Sequence, residues 1–99
     1  MVRIALDRAK IAEFCHRWKV KELSLFGSVL RDDFGPASDV DVLVEFQPDA
    51  PLDFDIWMDM MDDLRRMFGR DVDLVSKRAL RNPFRQHEIL TTREVIYAA

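Results

Sequence analysis

Two aspartates lie one residue apart in a segment that has the composition of a buried strand. Asp39 and Asp41 flank Val40 in "DVDVLVEF", which is rich in β-branched and apolar residues. Side chains two residues apart on a strand point to the same side, so the two carboxylates share one face while Val40 and Val42 point to the other. The spacing therefore predicts a strand with an acidic face and a hydrophobic face.

A third aspartate has the same surroundings. Asp73 lies between Val72 and Leu74 in "DVDLV", and pairing of neighbouring strands would bring it within about 5 Å of the first two. Two carboxylates 4 Å apart repel by roughly 4 kcal/mol at an effective dielectric constant near 20, so three of them call for cations or protonation. Oxygen ligands without Cys or His favour Mg²⁺, or Mn²⁺, over Zn²⁺. The alternative is that all three are exposed acids at strand ends.

A Gly-Ser pair precedes the aspartates. Gly27 and Ser28 follow the strand pattern "ELSLF", and a strand that ends in Gly-Ser before a helical turn presents free backbone N–H groups and a hydroxyl that can hold a phosphate. Arg31, about one helical turn further on, could add positive charge to a polyphosphate site. Read alone, the dipeptide also fits a serine helix cap beside a surface arginine. Gly-Ser, ten residues and then Asp-x-Asp is a more specific pattern.

The elements that would position these residues alternate between helices and strands. Apolar periodicity and capping residues predict helices over residues 7–18, 53–68 and 82–90. Alternating or β-branched runs predict strands over residues 22–26, 40–46 and 71–75, with a last short strand in "EVIYA". This order predicts an α/β fold, of the α+β type, with helices packed on one sheet. The order of the strands in that sheet does not follow from the pattern.

Composition limits the classes of protein to consider. With 99 residues that are 48% hydrophobic, residues 1–99 should form one small domain. A net charge of -3 disfavours nucleic-acid polymers as partners. The single cysteine, Cys15, excludes an internal disulfide, and neither an apolar run of about 18 residues nor a signal-peptide core is present. We therefore expect a cytoplasmic protein without a membrane partner.

Taken together, Gly27-Ser28, Asp39-Val40-Asp41 and Asp73 resemble the motif of the nucleotidyltransferase fold of the DNA polymerase β superfamily. The chain is similar in length to the smallest members, the minimal nucleotidyltransferases that act as antitoxins to HEPN-domain ribonuclease toxins. The resemblance implies a mixed sheet and two divalent metal ions. It also implies transfer of a nucleoside monophosphate from a nucleoside triphosphate to a hydroxyl, with pyrophosphate leaving. In the antitoxin branch the donor is ATP and the acceptor is a tyrosine of the toxin.

The same resemblance implies a role for each acid. Asp39 and Asp41 would coordinate both metal ions. Asp73 would hold the catalytic metal ion and help to orient and deprotonate the acceptor hydroxyl.

It also implies roles for the loop. Gly27 and Ser28 would bind the triphosphate, and Arg31 matches an arginine that is common after the Gly-Ser pair. Asp32 and Asp33 depart from the small residues often found there, which weakens the expected phosphate affinity of the loop.

Three functions remain open from the sequence. The first is an adenylyltransferase antitoxin that modifies a HEPN toxin encoded by a neighbouring gene. The second is a non-catalytic module that covers the toxin, using some of five large apolar residues: Trp57, Met58, Met61, Phe84 and Ile96. The third is a small-molecule nucleotidyltransferase whose acceptor pocket is completed by a homodimer.

Overall fold

The structure is a computed structural model that describes Val2 and residues 4–99. Its helices are α1 (Arg8–Arg17), α2 (Phe54–Phe68) and α3 (Pro83–Thr92). Its strands are β1 (Val20–Phe26), β2 (Val40–Phe46), β3 (Val72–Ser76) and β4 (Glu94–Ala98). Short 3₁₀ helices follow β1 and β3, at Gly27–Leu30 and Lys77–Ala79. Every predicted helix and strand is confirmed, although β1 begins two residues earlier and α3 ends two residues later than the sequence predicts.

Each helix begins and ends at residues suited to that position. The side chains of Asp7, Asp53 and Asn82 accept hydrogen bonds from backbone N–H groups in the first turn of the helix that each precedes. Pro83 occupies the first turn of α3, where the missing N–H costs nothing. Gly69 ends α2 in the left-handed conformation, with a φ of 69°.

The four strands form one mixed sheet in the order β3-β2-β1-β4. Strand β1 pairs antiparallel with both β2 and β4, whereas β2 and β3 run parallel. A parallel pair needs a long crossover connection, and α2 supplies it. The mixed sheet implied by the family resemblance is therefore confirmed, and its order places β2 and β1 in the centre.

The sheet has two different faces. One, here called the core face, is covered by α1 and α2 and carries alternate strand residues such as Leu25 and Val42. The other, here called the acid face, carries Asp41 and Asp73 and is covered by α3 over a smaller cluster of apolar residues: Phe26, Leu43, Leu80 and Ile89. Period-two alternation thus sends neighbouring residues of β2 to opposite environments.

Several side chains on the core face have purely structural roles. Met60 and Leu64 of α2 are fully buried, which confirms that the apolar stripe of this helix is core. Cys15 is buried as well, and burial raises the pKa of its thiol to about 12, so it acts as a small hydrophobe. In the part of the chain that the structure describes, no helix is both long and apolar enough to cross a membrane.

The five large apolar residues considered for a binding surface differ in exposure. Phe84 is 85% exposed and Met58 is also exposed, whereas Trp57 and Met61 pack partly against the core. Ile96 is only 5% exposed because β4 turns it toward the core face, so it is not among the residues that can form such a surface.

Candidate active site

Asp41 and Asp73 are neighbours across the parallel pair. They occupy the same register position on β2 and β3, with Asp41 half-buried and Asp73 exposed. Both side chains lie on the acid face, because Val40, Val42, and Val72 are part of the opposite core. The predicted proximity of these two acids is therefore confirmed by the strand register.

Asp39 lies just ahead of β2, on the loop that leads into the strand, and it is exposed. The loop is held by Arg70, whose Nη1 donates to the carbonyl oxygens of Gly35 (3.0 Å) and Ser38 (3.2 Å). The same guanidinium lies 4.5 Å from the centre of the Phe34 ring, within the range of a cation–π interaction. Arg70 thus fixes the segment that carries Asp39.

Gly27 lies directly against the acids. Its φ of 73° is in the left-handed region that favours glycine. A Cβ at this position would collide with Oδ2 of Asp41. Only glycine therefore lets the turn after β1 approach the carboxylate this closely, and the predicted phosphate loop and the predicted acid pair meet at this point.

Ser28 faces the aspartates with both of its donors. Its hydroxyl donates to the backbone carbonyl of Asp39 at 3.4 Å, and its backbone N–H interacts with the carboxylate of Asp41 and lowers its pKa. The sequence predicted that backbone N–H groups of this turn hold a phosphate, and this stays a prediction. Gly27 allows the close approach to Asp41, because it has no Cβ to collide with that carboxylate.

The site concentrates negative charge. The pKa of Asp41 is raised, first by burial and then by the negative charge of Asp73, with a smaller contribution from Asp39. The Ser28 N–H and the charge of Arg31 act in the opposite direction without cancelling the rise. A bound cation would relieve this repulsion.

The donors at this site fit a hard divalent cation in their chemistry. All three side chains offer carboxylate oxygens, which Mg²⁺ and Mn²⁺ prefer. Among the described residues, however, no three acidic, histidine or cysteine side chains are grouped closely enough to form a ready-made metal cage. Magnesium commonly uses one or two carboxylates together with waters and substrate phosphates, so an open arrangement is compatible with it.

Arg31 ends the turn that begins at Gly27. Its backbone N–H donates to the carbonyl of Ser28 at 2.9 Å. Its side chain is exposed and lies 3.8 Å from Asp33, a long ion pair that contributes little. The aspartate that departs from the family pattern therefore competes only weakly for this arginine.

Comparison with known proteins identifies the family. Residues 8–96 match the model of the nucleotidyltransferase domain. This chain belongs to that family. A relative from Thermococcus cleftensis, the protein adenylyltransferase MntA, is 34% identical over 86 residues, which cover 86% of this chain and 81% of the relative. The predicted transferase class is thus confirmed for the nucleotidyltransferase domain.

Solved structures confirm the predicted fold. A crystal structure of a toxin-antitoxin with AMP-PNP is similar with a TM-score of 0.73 and 24% identity, covering 95% of this nucleotidyltransferase domain and 75% of that chain. The structure of a tri-AMPylated Shewanella oneidensis HEPN toxin in complex with an MNT antitoxin matches with a TM-score of 0.64 and 23% identity. It covers 93% of this chain and 70% of that one.

Two arginines beside the site were missed by reasoning from the sequence. Arg70 follows the end of α2, and its two carbonyl partners lie more than 30 positions earlier in the chain. Arg85 lies in the first turn of α3 and lines a cavity together with Gly27 and Arg31. No local pattern marks either residue, because both positions depend on how distant segments pack.

Proposed function

We propose that this nucleotidyltransferase domain transfers AMP from ATP to a tyrosine hydroxyl of a partner HEPN ribonuclease toxin and thereby acts as its antitoxin. The observation that carries the proposal is the meeting of Gly27, Asp41 and Asp73 at one point of the acid face. The relative named as a protein adenylyltransferase and the fold shared with an antitoxin bound to an AMPylated HEPN toxin support the choice of acceptor.

One group of residues would bind the phosphates of the donor nucleotide, and another would bind the metal ions. Gly27 admits the phosphates close to the backbone, and Ser28 and Arg31 donate hydrogen bonds and positive charge to them. Asp39, Asp41 and Asp73 would hold two Mg²⁺ ions, which neutralise charge on the phosphoryl oxygens when bound.

In the transfer step, the acceptor oxygen forms a bond to the α-phosphorus, while the bond from that phosphorus to the oxygen bridging to the β-phosphate breaks. Pyrophosphate leaves with the electron pair. The hydroxyl proton passes to the carboxylate of Asp73, which also orients the acceptor.

The position of Asp73 suits an acceptor carried by another protein. Strand β3 lies at one edge of the sheet, and Asp73 is exposed there. A hydroxyl on the surface of a partner can reach this carboxylate without entering a deep pocket. This accessibility favours a protein acceptor over a small molecule that must be enclosed.

A direct test combines the purified protein with ATP, Mg²⁺ and the HEPN-type product of the neighbouring gene. Intact mass spectrometry should show that the partner gains mass in units of AMP, and Asp41→Asn should abolish the gain. A partner that keeps its mass under these conditions, while the wild-type protein is folded, contradicts the proposal.

The second candidate function is a non-catalytic antitoxin that neutralises the toxin by binding. The exposure of Phe84 and Met58 favours it, because such side chains often contact a partner. A double variant with Asp39→Ala and Asp41→Ala separates the two functions in cells. If it still protects cells from the toxin, binding suffices and catalysis is dispensable. The small-molecule transferase completed by a homodimer, and a cytoplasmic location, remain predictions from the sequence.

A further inference from the structure

A cavity of about 660 Å³ lies between the turn after β1 and helix α3. One wall is the turn itself, with Gly27 and Arg31. The opposite wall is one face of α3, formed by residues at helical spacing: Arg85, Glu88, Ile89 and Thr92. The cavity exists because α3 covers the acid face over its apolar cluster but leaves a gap beside the turn.

The cavity opens next to the proposed reaction centre. Gly27 lines it and at the same time lies against the carboxylate of Asp41. In the sheet order β3-β2-β1-β4, the cavity lies on the β1 side of Asp41, whereas Asp73 lies on the β3 side. The cavity and Asp73 therefore flank Asp41 from opposite directions.

Transfer of a phosphoryl group places the attacking and leaving oxygens roughly in line. If the acceptor hydroxyl approaches from Asp73, the leaving group must point away from β3. That direction leads over Gly27 into the cavity. A pyrophosphate group there needs positive charge, since the aspartates beside it are negative.

Two arginines of the cavity can supply that charge. Arg31 forms a long ion pair with Asp33 at 3.8 Å, and its positive charge also lowers the pKa of Asp41. Arg85 is exposed and lines the cavity from the first turn of α3. Its backbone is fixed, because its N–H donates to the side chain of Asn82 at 3.2 Å. Glu88 and Glu94 also line the cavity, which makes a second cation more necessary for binding an anion.

We propose that Arg85 of α3 is a second cation, beside Arg31, for the β- and γ-phosphates of the nucleoside triphosphate, which the family resemblance already implies to lie beside the Gly27-Ser28 turn. The inference rests on the proposed nucleotidyl transfer and deepens it. It assigns to α3, which carries none of the motif residues, the task of holding the departing pyrophosphate. Phe26 and Ile89 form a buried apolar part of the cavity wall.

The test measures nucleotide affinity and needs no turnover. Isothermal titration calorimetry in Mg²⁺ compares AMP with an ATP analogue whose α,β-bridge is an imido group. Arg85→Gln should weaken binding of the ATP analogue about tenfold, as expected for loss of a charged hydrogen bond. Binding of AMP should change less than about twofold, because AMP lacks the two outer phosphates. Arg85→Lys should recover most of the affinity for the analogue.

Arg81→Gln is the matched control. Arg81 is exposed just before α3 and does not line the cavity, so this variant should bind both nucleotides like the wild type. Unchanged binding of the ATP analogue by Arg85→Gln, or an equal loss for AMP, overturns the inference and leaves the proposed function intact. A folded wild-type protein that binds neither nucleotide overturns the proposed function and the inference with it.

Discussion

The two faces of the sheet use the same strands in opposite ways. On the core face, Leu25 and Val42 are fully buried under α1 and α2. On the acid face, Asp41 is half-buried and its pKa is raised by burial and by Asp73. Residues that stabilise the fold and residues that strain it electrostatically therefore alternate along one strand. A substitution at one position should change stability, and a substitution at the next should change chemistry.

The largest expected effect concerns Asp41. Asp41→Asn should reduce AMP transfer by about 10³-fold or more, because it removes a charged carboxylate that we propose as a ligand of the metal ions. The free energy of unfolding without metal should stay the same or rise slightly, since a repelling charge is lost. Transfer assays and urea titrations on the same preparation check both halves. A strongly destabilised variant would show that the acid face also holds the fold together.

The matched change on the core face is Leu25→Ala. It should lower the free energy of unfolding by about 3 kcal/mol, because it leaves a cavity among fully buried side chains. At a temperature where the variant remains folded, its nucleotide affinity should stay within about twofold of the wild type. Urea denaturation and calorimetric titration measure the two quantities. A large loss of affinity in the folded variant would mean that the two faces are not independent.

Two glycines allow a sharper comparison, because Gly27 and Gly69 have nearly the same φ, 73° and 69°. Alanine at either position is strained, at a cost of about 1 kcal/mol. Only at Gly27 would the new methyl group collide with Asp41, since no atom lies within 4 Å of the corresponding position at Gly69. Gly27→Ala should therefore reduce transfer about 100-fold, and Gly69→Ala should leave transfer unchanged.

Thermal unfolding of both glycine variants provides the control. Similar melting temperatures with different transfer rates support the role of Gly27 in the site. Equal transfer rates would show that close approach to Asp41 is not needed for catalysis.

Arg70 tests whether the loop before β2 matters for the site. Arg70→Ala should lower transfer about tenfold, because the two loop carbonyls lose their donor and Asp39 is held less firmly. Arg66→Ala, on the exposed surface of the preceding helix, is the control and should transfer like the wild type. Titration with Mg²⁺ in the presence of nucleotide should show a weaker apparent affinity for Mg²⁺ in Arg70→Ala but not in Arg66→Ala. The same affinity in both variants would exclude this positioning role.

The sequence was sufficient for those features of the fold that depend on local pattern. Period-two alternation predicted that Asp39 and Asp41 share one face, and of these two only Asp41 lies within β2. The capping residue Asp53 gave the start of α2. The start of β1 was placed two residues late because Val20 joins the strand by pairing with Phe46, a contact between distant segments. The end of α3 was placed early for a local reason, since the hydroxyl of Thr92 bonds back to the carbonyl of Glu88.

Like the fold, the candidate site was predictable only where it depends on local sequence pattern. The motif residues follow from spacing, and their meeting depends on a strand order that no local pattern encodes. Arg70 and Arg85 lie beside the site only because distant segments pack together. Sequence reasoning therefore predicts the acids, the glycine turn and Arg31, and it misses Arg70 and Arg85.

The smallest expected effect is a pH dependence of stability, measured without metal. Because the pKa of Asp41 is raised in the folded state, burial and repulsion penalise only its charged form, and this penalty is absent below the ordinary value of 3.8. This advantage is lost as the pH rises through the raised value, so the stability of the wild type relative to Asp41→Asn should fall from pH 4 toward pH 7.

Asp49 should behave in the opposite way, since the hydrogen bond from Lys19 lowers its pKa. That contribution is present above the ordinary pKa and is lost on acidification, so the stability of the wild type relative to Asp49→Asn should rise with pH. Urea denaturation in EDTA from about pH 2.5 to about pH 7 measures both slopes, since the Asp49 contribution changes mainly below its ordinary pKa of 3.8. Slopes of the same sign would contradict the assignment of Asp41 to a repulsive acidic site.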